Sequence, residues 1–335
     1  MMKLRYLFDN RDLAEIILKN WQYDPEKLSL LDGFRISSNA VYPFEFAGKR
    51  FFLRFSPVEE HTEQAVLAEI EYIRYLCTEN YPAARTIPSK AGRELECIST
   101  PWGDYLAVVF QGVPGTRLDK ITLSDELITG YGQALGRLHE LSRRYVNVRN
   151  KRDSWREQLN LVRYVLAGFP DESLARSEEE ILRSCLEGIP ATDGNFGLVH
   201  YDFELDNVFY DEVTDCFHVI DFDDAVYHWY ALEIDQSIDN LTEGMMPDRA
   251  SEAKELFIEG YKSISPVDNQ ALSAVPVFRR YVNLHGYTRF LRATAEKWDN
   301  EPEWMTNLRN ILESAKQDRR EFFGMTIESC GLPND

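Results

Sequence analysis

The sequence predicts an α+β fold of two lobes, a small antiparallel sheet followed by a larger, mostly helical half. Three observations carry that expectation. Short strand-forming runs fill most of the first hundred or so positions, with one amphipathic helix among them. Two glycines and a proline then crowd into Gln111-Gly-Val-Pro-Gly-Thr116, the composition of a linker. Beyond it, helical periodicity takes over.

In order along the chain, residues 10–20 read as a short amphipathic helix and residues 28–36 as a first strand. Residues 41–46 and 50–55 form two more strands, joined by a tight turn at Ala47-Gly48. Residues 61–77 show helical spacing, with Val66, Ile70, Ile73, Leu76 and Cys77 on one side. Strands follow at 95–100 and 105–110, so residues 1–110 form the first lobe, 111–116 the hinge and 117–335 the second lobe. The second lobe opens with a helix over 124–144, capped by Ser124, with Asp125 and Glu126 in its first turn. Tyr131, Leu135, Leu138 and Leu141 continue the apolar stripe that starts at Leu127. Further helices are predicted at 153–167, 172–187, 250–263, 274–297 and 302–323, and residues 225–238 lead directly into another. A strand-rich island at 196–220 interrupts them, and the Gly/Pro-containing tail after Phe323 is expected to fray.

The charge balance narrows the partners. Asp and Glu number 56 against 37 Lys and Arg, a formal net charge of −19. Such a surface repels phosphate backbones and anionic lipid, so no nucleic acid and no membrane are expected as partners. Five widely spaced cysteines, Cys77, Cys97, Cys185, Cys216 and Cys330, form no C-x-x-C pair and fit reduced thiols in a cytoplasmic protein. The first residues have scattered charge and no apolar stretch suited to a signal peptide. No run of about 18 apolar residues occurs anywhere.

The chemistry concentrates in residues 199–225. Two apolar strands, at 208–210 and 217–220, flank the polar turn Asp211-Glu-Val-Thr-Asp215. A hairpin centred near Thr214 sets Asn207 beside Asp221, two oxygen-bearing side chains suited to a hard cation such as Mg²⁺. Asp202, five residues before Asn207, enters the same corner. Phosphoryl transfer needs such a group: one carboxylate to orient and deprotonate a hydroxyl, and an Asp and an Asn to hold metal against the β- and γ-phosphates. The spacing H-x-D-x-x-x-x-N, then a strand-end Asp, is met by His200, Asp202, Asn207 and Asp221.

This segment resembles the catalytic region of the aminoglycoside phosphotransferase and choline kinase family, relatives of the protein kinases, and the resemblance runs from about residue 28 to 300. It implies a protein-kinase-like fold, ATP and Mg²⁺ as cofactors, and a small-molecule hydroxyl as phosphoryl acceptor. By resemblance the base is Asp202, the metal ligands are Asn207 and Asp221, and His200 supports the loop. Asp235, in Leu232-Glu-Ile-Asp-Gln236, is implied as a helical carboxylate that braces the catalytic loop. The phosphate-binding cation of the family's third strand falls on Arg54, with Glu69 as its ion-pair partner, favoured over Glu71 by helix phase. Ser37, Ser38 and Asn39 occupy the place of the phosphate-covering loop, without a G-x-G-x-x-G pattern, and the hinge at Gln111 and Val113 would face adenine.

Glu204, Asp206, Asp223 and Asp224 are expected to give the acceptor's entrance a negative rim, which favours an amine-bearing acceptor such as an amino sugar, amino alcohol or amino acid. Trp229, Tyr230, Tyr281, Tyr287 and Trp298 are either core or a cage for a cationic amine. His139 is expected to be a structural helix residue. A protein Ser/Thr kinase of the same superfamily is a second expectation and an inactive nucleotide-binding scaffold a third. Against the second, Glu204 stands where protein kinases carry Lys, Asp223 follows Phe222 in place of Gly, and no A-P-E segment follows. Against the third, Asp202, Asn207 and Asp221 are all present. Tyr201, where the family usually has Gly, is expected to narrow the pocket beside the base. No G-x-S-x-G, H-E-x-x-H or Walker motif supports a hydrolase, zinc protease or P-loop enzyme.

Overall fold

The computed structural model describes residues 1–147, 149–321 and 323–324. A 3-10 turn at Leu4–Tyr6 leads into α1 (Arg11–Leu18), which starts where the Asn10 side chain accepts the Leu13 amide at 2.9 Å. Its buried stripe of Leu13, Ala14, Ile17 and Leu18 packs on the sheet. The strand expected over residues 28–36 is a correction: Pro25–Gly33 is a kinked 3-10 run, and only β1 (Arg35–Ile36) is extended. Pro25 suits a helical start, and Leu28-Ser-Leu-Leu-Asp32 contains no β-branched or aromatic residue to favour a pleated backbone.

The remaining N-lobe elements follow the sequence pattern. β2 (Ala40–Phe46) and β3 (Lys49–Pro57) close through Ala47 and Gly48, both with positive φ (50° and 73°), as a two-residue hairpin turn requires. α2 (Glu63–Thr78), capped by Thr62, is followed by β4 (Thr86–Ile87), β5 (Glu96–Thr100) and β6 (Gly103–Gln111). Every pairing is antiparallel, in the order β1-β2-β3-β6-β4, with β5 also on β6. α2 serves both lobes. Val66 and Ile70 pack on Leu106 and Val108, while Tyr72, Ile73 and Leu76 join the core of the second lobe.

Past the hinge come β7 (Thr116–Arg117), a 3-10 turn at Leu118–Lys120, and α3 (Asp125–Arg144), capped by Ser124 as predicted. α4 (Trp155–Ala167) begins with a capping box between Ser154 and Glu157, and α5 (Ser173–Gly188) follows. The strand-rich island resolves into β8 (Phe196–Val199), β9 (Val208–Asp211) and β10 (Cys216–Val219), with β11 (Val226–Trp229) pairing back on β8. α6 (Tyr230–Thr242), α7 (Pro247–Ile264), α8 (Asn269–Ser273), α9 (Val275–Ala293) and α10 (Glu303–Arg320) complete the lobe. α3 and α7 touch backbone to backbone: a Cβ on Gly132 would lie 2.1 Å from the Phe257 oxygen, and one on Gly260 2.1 Å from that of Thr129. This pair stands beneath the catalytic loop.

Of the five aromatics considered for a cation cage, Trp229, Tyr230, Tyr281 and Tyr287 are core residues, and Trp298 is exposed. No cage forms, because β11 and α9 turn their apolar faces into the same core. None of the described helices is long and apolar enough to cross a membrane. The predicted frayed tail, apart from Gly324, and Cys330 lie outside the described residues.

Candidate active site

The catalytic loop leaves β8 through His200 and Tyr201, the latter in the left-handed region with φ of 72°. A single buried carboxylate holds this turn. Glu233, fully buried in the first turn of α6, accepts the His200 amide at 3.1 Å and the Tyr201 amide as well. His139 of α3 donates to Glu233 at 2.7 Å through Nε2, while its Nδ1 meets the Tyr261 hydroxyl at 2.8 Å. Burial lowers the imidazole's pKa, so this is a neutral ring orienting a carboxylate. Asp235 is therefore a correction: it pairs with Arg279 at 2.7 and 2.9 Å on the other side of the helix. Two residues along an α-helix turn about 200°, so Glu233 and Asp235 cannot face the same loop.

His200 supports the loop as expected. Its Nε2 donates to the Ile220 carbonyl at 2.8 Å and its Nδ1 accepts the Asp202 amide at 3.3 Å. Tyr201 departs from expectation. Its side chain is buried, with the hydroxyl 3.0 Å from His285 Nδ1, so it packs into the helical core and does not narrow the cleft. The left-handed turn sends it inward.

β9 and β10 pair with Val208 opposite Val219 and Asp211 opposite Cys216. The hairpin's centre thus lies between Val213 and Thr214, and Asn207 faces Ile220, whose amide donates to the Asn207 carbonyl at 3.0 Å. Asp221 is the next residue, turned by its own φ of 65°. Asn207 Nδ2 donates to the Asp202 carboxylate at 2.9 Å and to its carbonyl at 3.0 Å, which leaves the amide oxygen as the atom available to a cation. Asp202 and Asn207 are thereby locked together. Burial raises the Asp202 pKa, His200 opposes this, and Asp224 and Asp206 add to it.

Across the cleft, Arg54 on β3 and Glu69 on α2 form a buried two-pronged ion pair, one prong at 2.8 Å. Glu71 points elsewhere, to Asn150 at 2.8 Å, as the helix phase predicts. Arg54 Nη1 also lies 3.6 Å from Asp221, and its guanidinium sits over the Phe110 ring. Partial loss of water between the lobes pushes the Asp221 carboxyl up to about 7, although its side chain is still 48% exposed; Arg54 opposes the shift, and Asp223 and Glu69 reinforce it. An open cleft runs from Ser37, Ser38 and Asn39 past Arg54 to Asp202 and Asp221.

The loop at Ser37–Asn39 and the acidic rim are engaged with each other more than the sequence suggested. Asn39 Nδ2 donates to Asp223 at 2.8 Å, and Arg289 of α9 donates to the Ser38 hydroxyl at 2.7 Å and to Asp224 at 2.8 Å. Asp223 is thus no rim residue. Its side chain is only 8% exposed, and although burial pushes its pKa up, His61 and Arg54 hold it below the usual range. Asp224 is likewise held low by Arg289 against the effect of burial. Burial, Asp202 and Asp206 push Glu204 up to about 7, and Asp206 faces Arg35 at 3.4 Å. In the hinge, the Gln111 amide donates to Arg85 and the Gly112 amide to Arg50, both at 2.9 Å.

Whether this site suits a divalent ion can be tested on its donors. Among the described residues no cluster of three His, Cys, Asp or Glu side chains stands ready for a metal. A carboxylate on Asp221 and an amide oxygen on Asn207 are hard ligands, and a Mg²⁺-type ion needs only one or two from the protein when phosphates supply others. The residues fit. Sequence reasoning missed Glu233 and Arg289. The phase of the helix separates Glu233 from Asp235 without saying which of them faces the loop; nothing linear marks Arg289, whose partners are Ser38 and Asp224.

The amicoumacin kinase of Bacillus subtilis (strain 168) is 25% identical over 294 residues, covering 83% of this chain and 85% of that protein. The solved amicoumacin kinase hAmiN, in complex with AMP-PNP, Ca²⁺ and Ami, superposes with a TM-score of 0.75 at 21% identity over 95% of each chain. A microcompartment-associated aminopropanol kinase follows at 0.69 and 20% identity, over 97% of this chain and 99% of its own. A family model described as the phosphotransferase enzyme family matches residues 35–261, and with most of its length inside that match the chain belongs to this family.

Proposed function

We propose that this protein is a cytoplasmic, Mg²⁺- and ATP-dependent kinase that transfers the γ-phosphoryl group to a hydroxyl of a small, amine-bearing molecule. The observation that carries this is that Asp202, hydrogen-bonded to Asn207, lines one cleft with Asp221 and with Arg54, whose guanidinium is paired with Glu69. Asp202 accepts the proton of the acceptor hydroxyl as its oxygen bonds to the γ-phosphorus and the bond to the ADP oxygen breaks. The upward shift of its pKa makes it a better proton acceptor than a solvated aspartate. Asn207 fixes the carboxylate's rotamer through Nδ2. Arg54, held straight by Glu69, offers its remaining donors to the α- and β-phosphates. Asn207 and Asp221 would hold Mg²⁺, which when bound offsets negative charge on the β- and γ-phosphates. Since the Gln111 and Gly112 amides are used by neighbouring strands, Val113 is the hinge position proposed to meet the purine.

The neighbouring carboxyl groups of Asp202, Glu204 and Asp206, together with relatives named for amicoumacin and aminopropanol, support an acceptor that carries an amine. A screen of ATP consumption over aminopropanol, ethanolamine, choline, homoserine, aminoglycosides and amicoumacin is expected to find turnover with one of these compounds. Asp202→Ala should then lower kcat by about 10²–10⁴ while ATP affinity, read by calorimetry, stays the same. Near-normal turnover in that variant would remove Asp202 as the base.

A further inference from the structure

Arg54 is heavily committed to its own lobe. Its guanidinium gives two donors to Glu69 and lies against Asp221, so its charge is largely balanced before any phosphate enters. The floor of the cleft is meanwhile strongly acidic, with Asp202, Asp221, Asp223 and Asp224 lining one cavity. A nucleoside triphosphate brings several more negative charges into that space. It needs a cation whose hydrogen bonds can be exchanged.

Arg289 has that character. Its Nη1 is anchored on Asp224 at 2.8 Å, three residues beyond Asp221, while Nη2 crosses the cleft to the neutral hydroxyl of Ser38 at 2.7 Å. Ser38 lies in the turn between β1 and β2, and Ser38 and Asp224 both line the same cleft as Asp202 and Asp221. A bond from a guanidinium to a phosphate oxygen is charge-assisted on both sides and stronger than one to a hydroxyl. The planar fork lets Arg289 keep Asp224 with one edge and turn the other to a new acceptor.

We propose that Arg289 is a γ-phosphate-binding residue: when nucleotide enters, Nη2 exchanges the Ser38 hydroxyl for a non-bridging γ-oxygen, and the same contact stabilises the charge on the phosphoryl group in flight. This rests on the kinase function proposed above and adds to Arg54 a second cation, supplied by the helical lobe from α9. A rival role, a latch that only ties the two lobes, makes no distinction between nucleotides.

Calorimetric titration with AMP-PNP and with ADP, each in excess Mg²⁺, separates these roles without knowledge of the acceptor. Arg289→Met should weaken AMP-PNP by about tenfold to a hundredfold, the value of a lost charge-assisted hydrogen bond, and leave ADP within about twofold. Arg289→Lys keeps the charge and the pairing with Asp224, so it answers the question if the methionine variant does not fold. It should weaken AMP-PNP by roughly three- to tenfold, again with ADP little changed, because a single ammonium cannot serve both partners. Equal losses for the two nucleotides, or none, would overturn the assignment and leave the latch. If the unmodified protein binds neither nucleotide with Mg²⁺, the kinase function itself fails, a different outcome from the other two.

Discussion

At the scale of single residues, Asp221 is the titratable group with the clearest consequence. In the free protein its carboxyl is pushed up to about 7, by confinement in the cleft and by the negative charges of Asp223, Glu69 and Asp224, against the pull of Arg54. A divalent ion binds only the ionised form, so below that pH the ion must displace a proton. The sign follows: as pH falls through about 7 the protonated fraction grows and metal-dependent affinity declines, and as pH rises the affinity climbs to a plateau. Calorimetry of Mg²⁺·AMP-PNP between about pH 6 and 8 should show that climb. In buffers of differing ionisation enthalpy it should also show proton release that fades toward pH 8. A flat profile without proton release would mean that Asp221 is ionised throughout.

At the scale of elements, the catalytic loop is held by the start of a helix. Glu233 accepts two consecutive loop amides and a buried imidazole donor, three bonds from one side chain without solvent. In Glu233→Gln, one oxygen becomes an NH₂ that must face a donor. The cost should be about 1–3 kcal/mol in denaturant unfolding, with kcat reduced and nucleotide affinity kept. Asp235→Asn, two residues along, removes only the pairing with Arg279, whose side chain is 57% exposed. It should stay within about 0.5 kcal/mol of the parent protein and keep its turnover. If the two variants behaved alike, the loop would have some other support. The sequence pattern runs residues 225–238 directly into this helix, whereas β11 takes Val226–Trp229 first, and which of the helix's two acids faces the loop is not legible in it. That choice depends on a helix start at Tyr230, set by the pairing of β11 with β8.

At the scale of the whole molecule, the lobes are closed on each other by side chains. Asn39 meets Asp223, Arg289 meets Ser38, and Arg292 of α9 lies 2.7 Å from Glu60. Several of these groups line or adjoin the proposed phosphate site, so nucleotide binding would replace lobe-to-lobe contacts by contacts through phosphate. A ligand that binds only the folded protein stabilises it by about 2.7 kcal/mol at a hundred times its Kd. Mg²⁺·AMP-PNP at that excess should therefore raise Tm by several degrees, and EDTA should abolish most of the shift. An equal shift in EDTA would show that the Asn207–Asp221 corner holds no metal.

By itself, the sequence determined the sheet-rich first part and helical second part, the Ser124-capped helix and the run of residues from His200 to Asp221. Those features are local, since apolar period, turn chemistry and a hairpin fix them over short spans. It also placed Arg54 and Glu69 correctly, because strand alternation and helix phase decide which residues face inward. It failed where partners are far apart in the chain. Whether Asp223 and Asp224 form a rim or are neutralised depends on His61, Arg54 and Arg289, which arrive from two lobes. Whether Tyr201 narrows the cleft depends on a left-handed turn and on His285 of α9. Only tertiary structure could decide these, because the charge and packing around a residue come from whatever the fold brings near it.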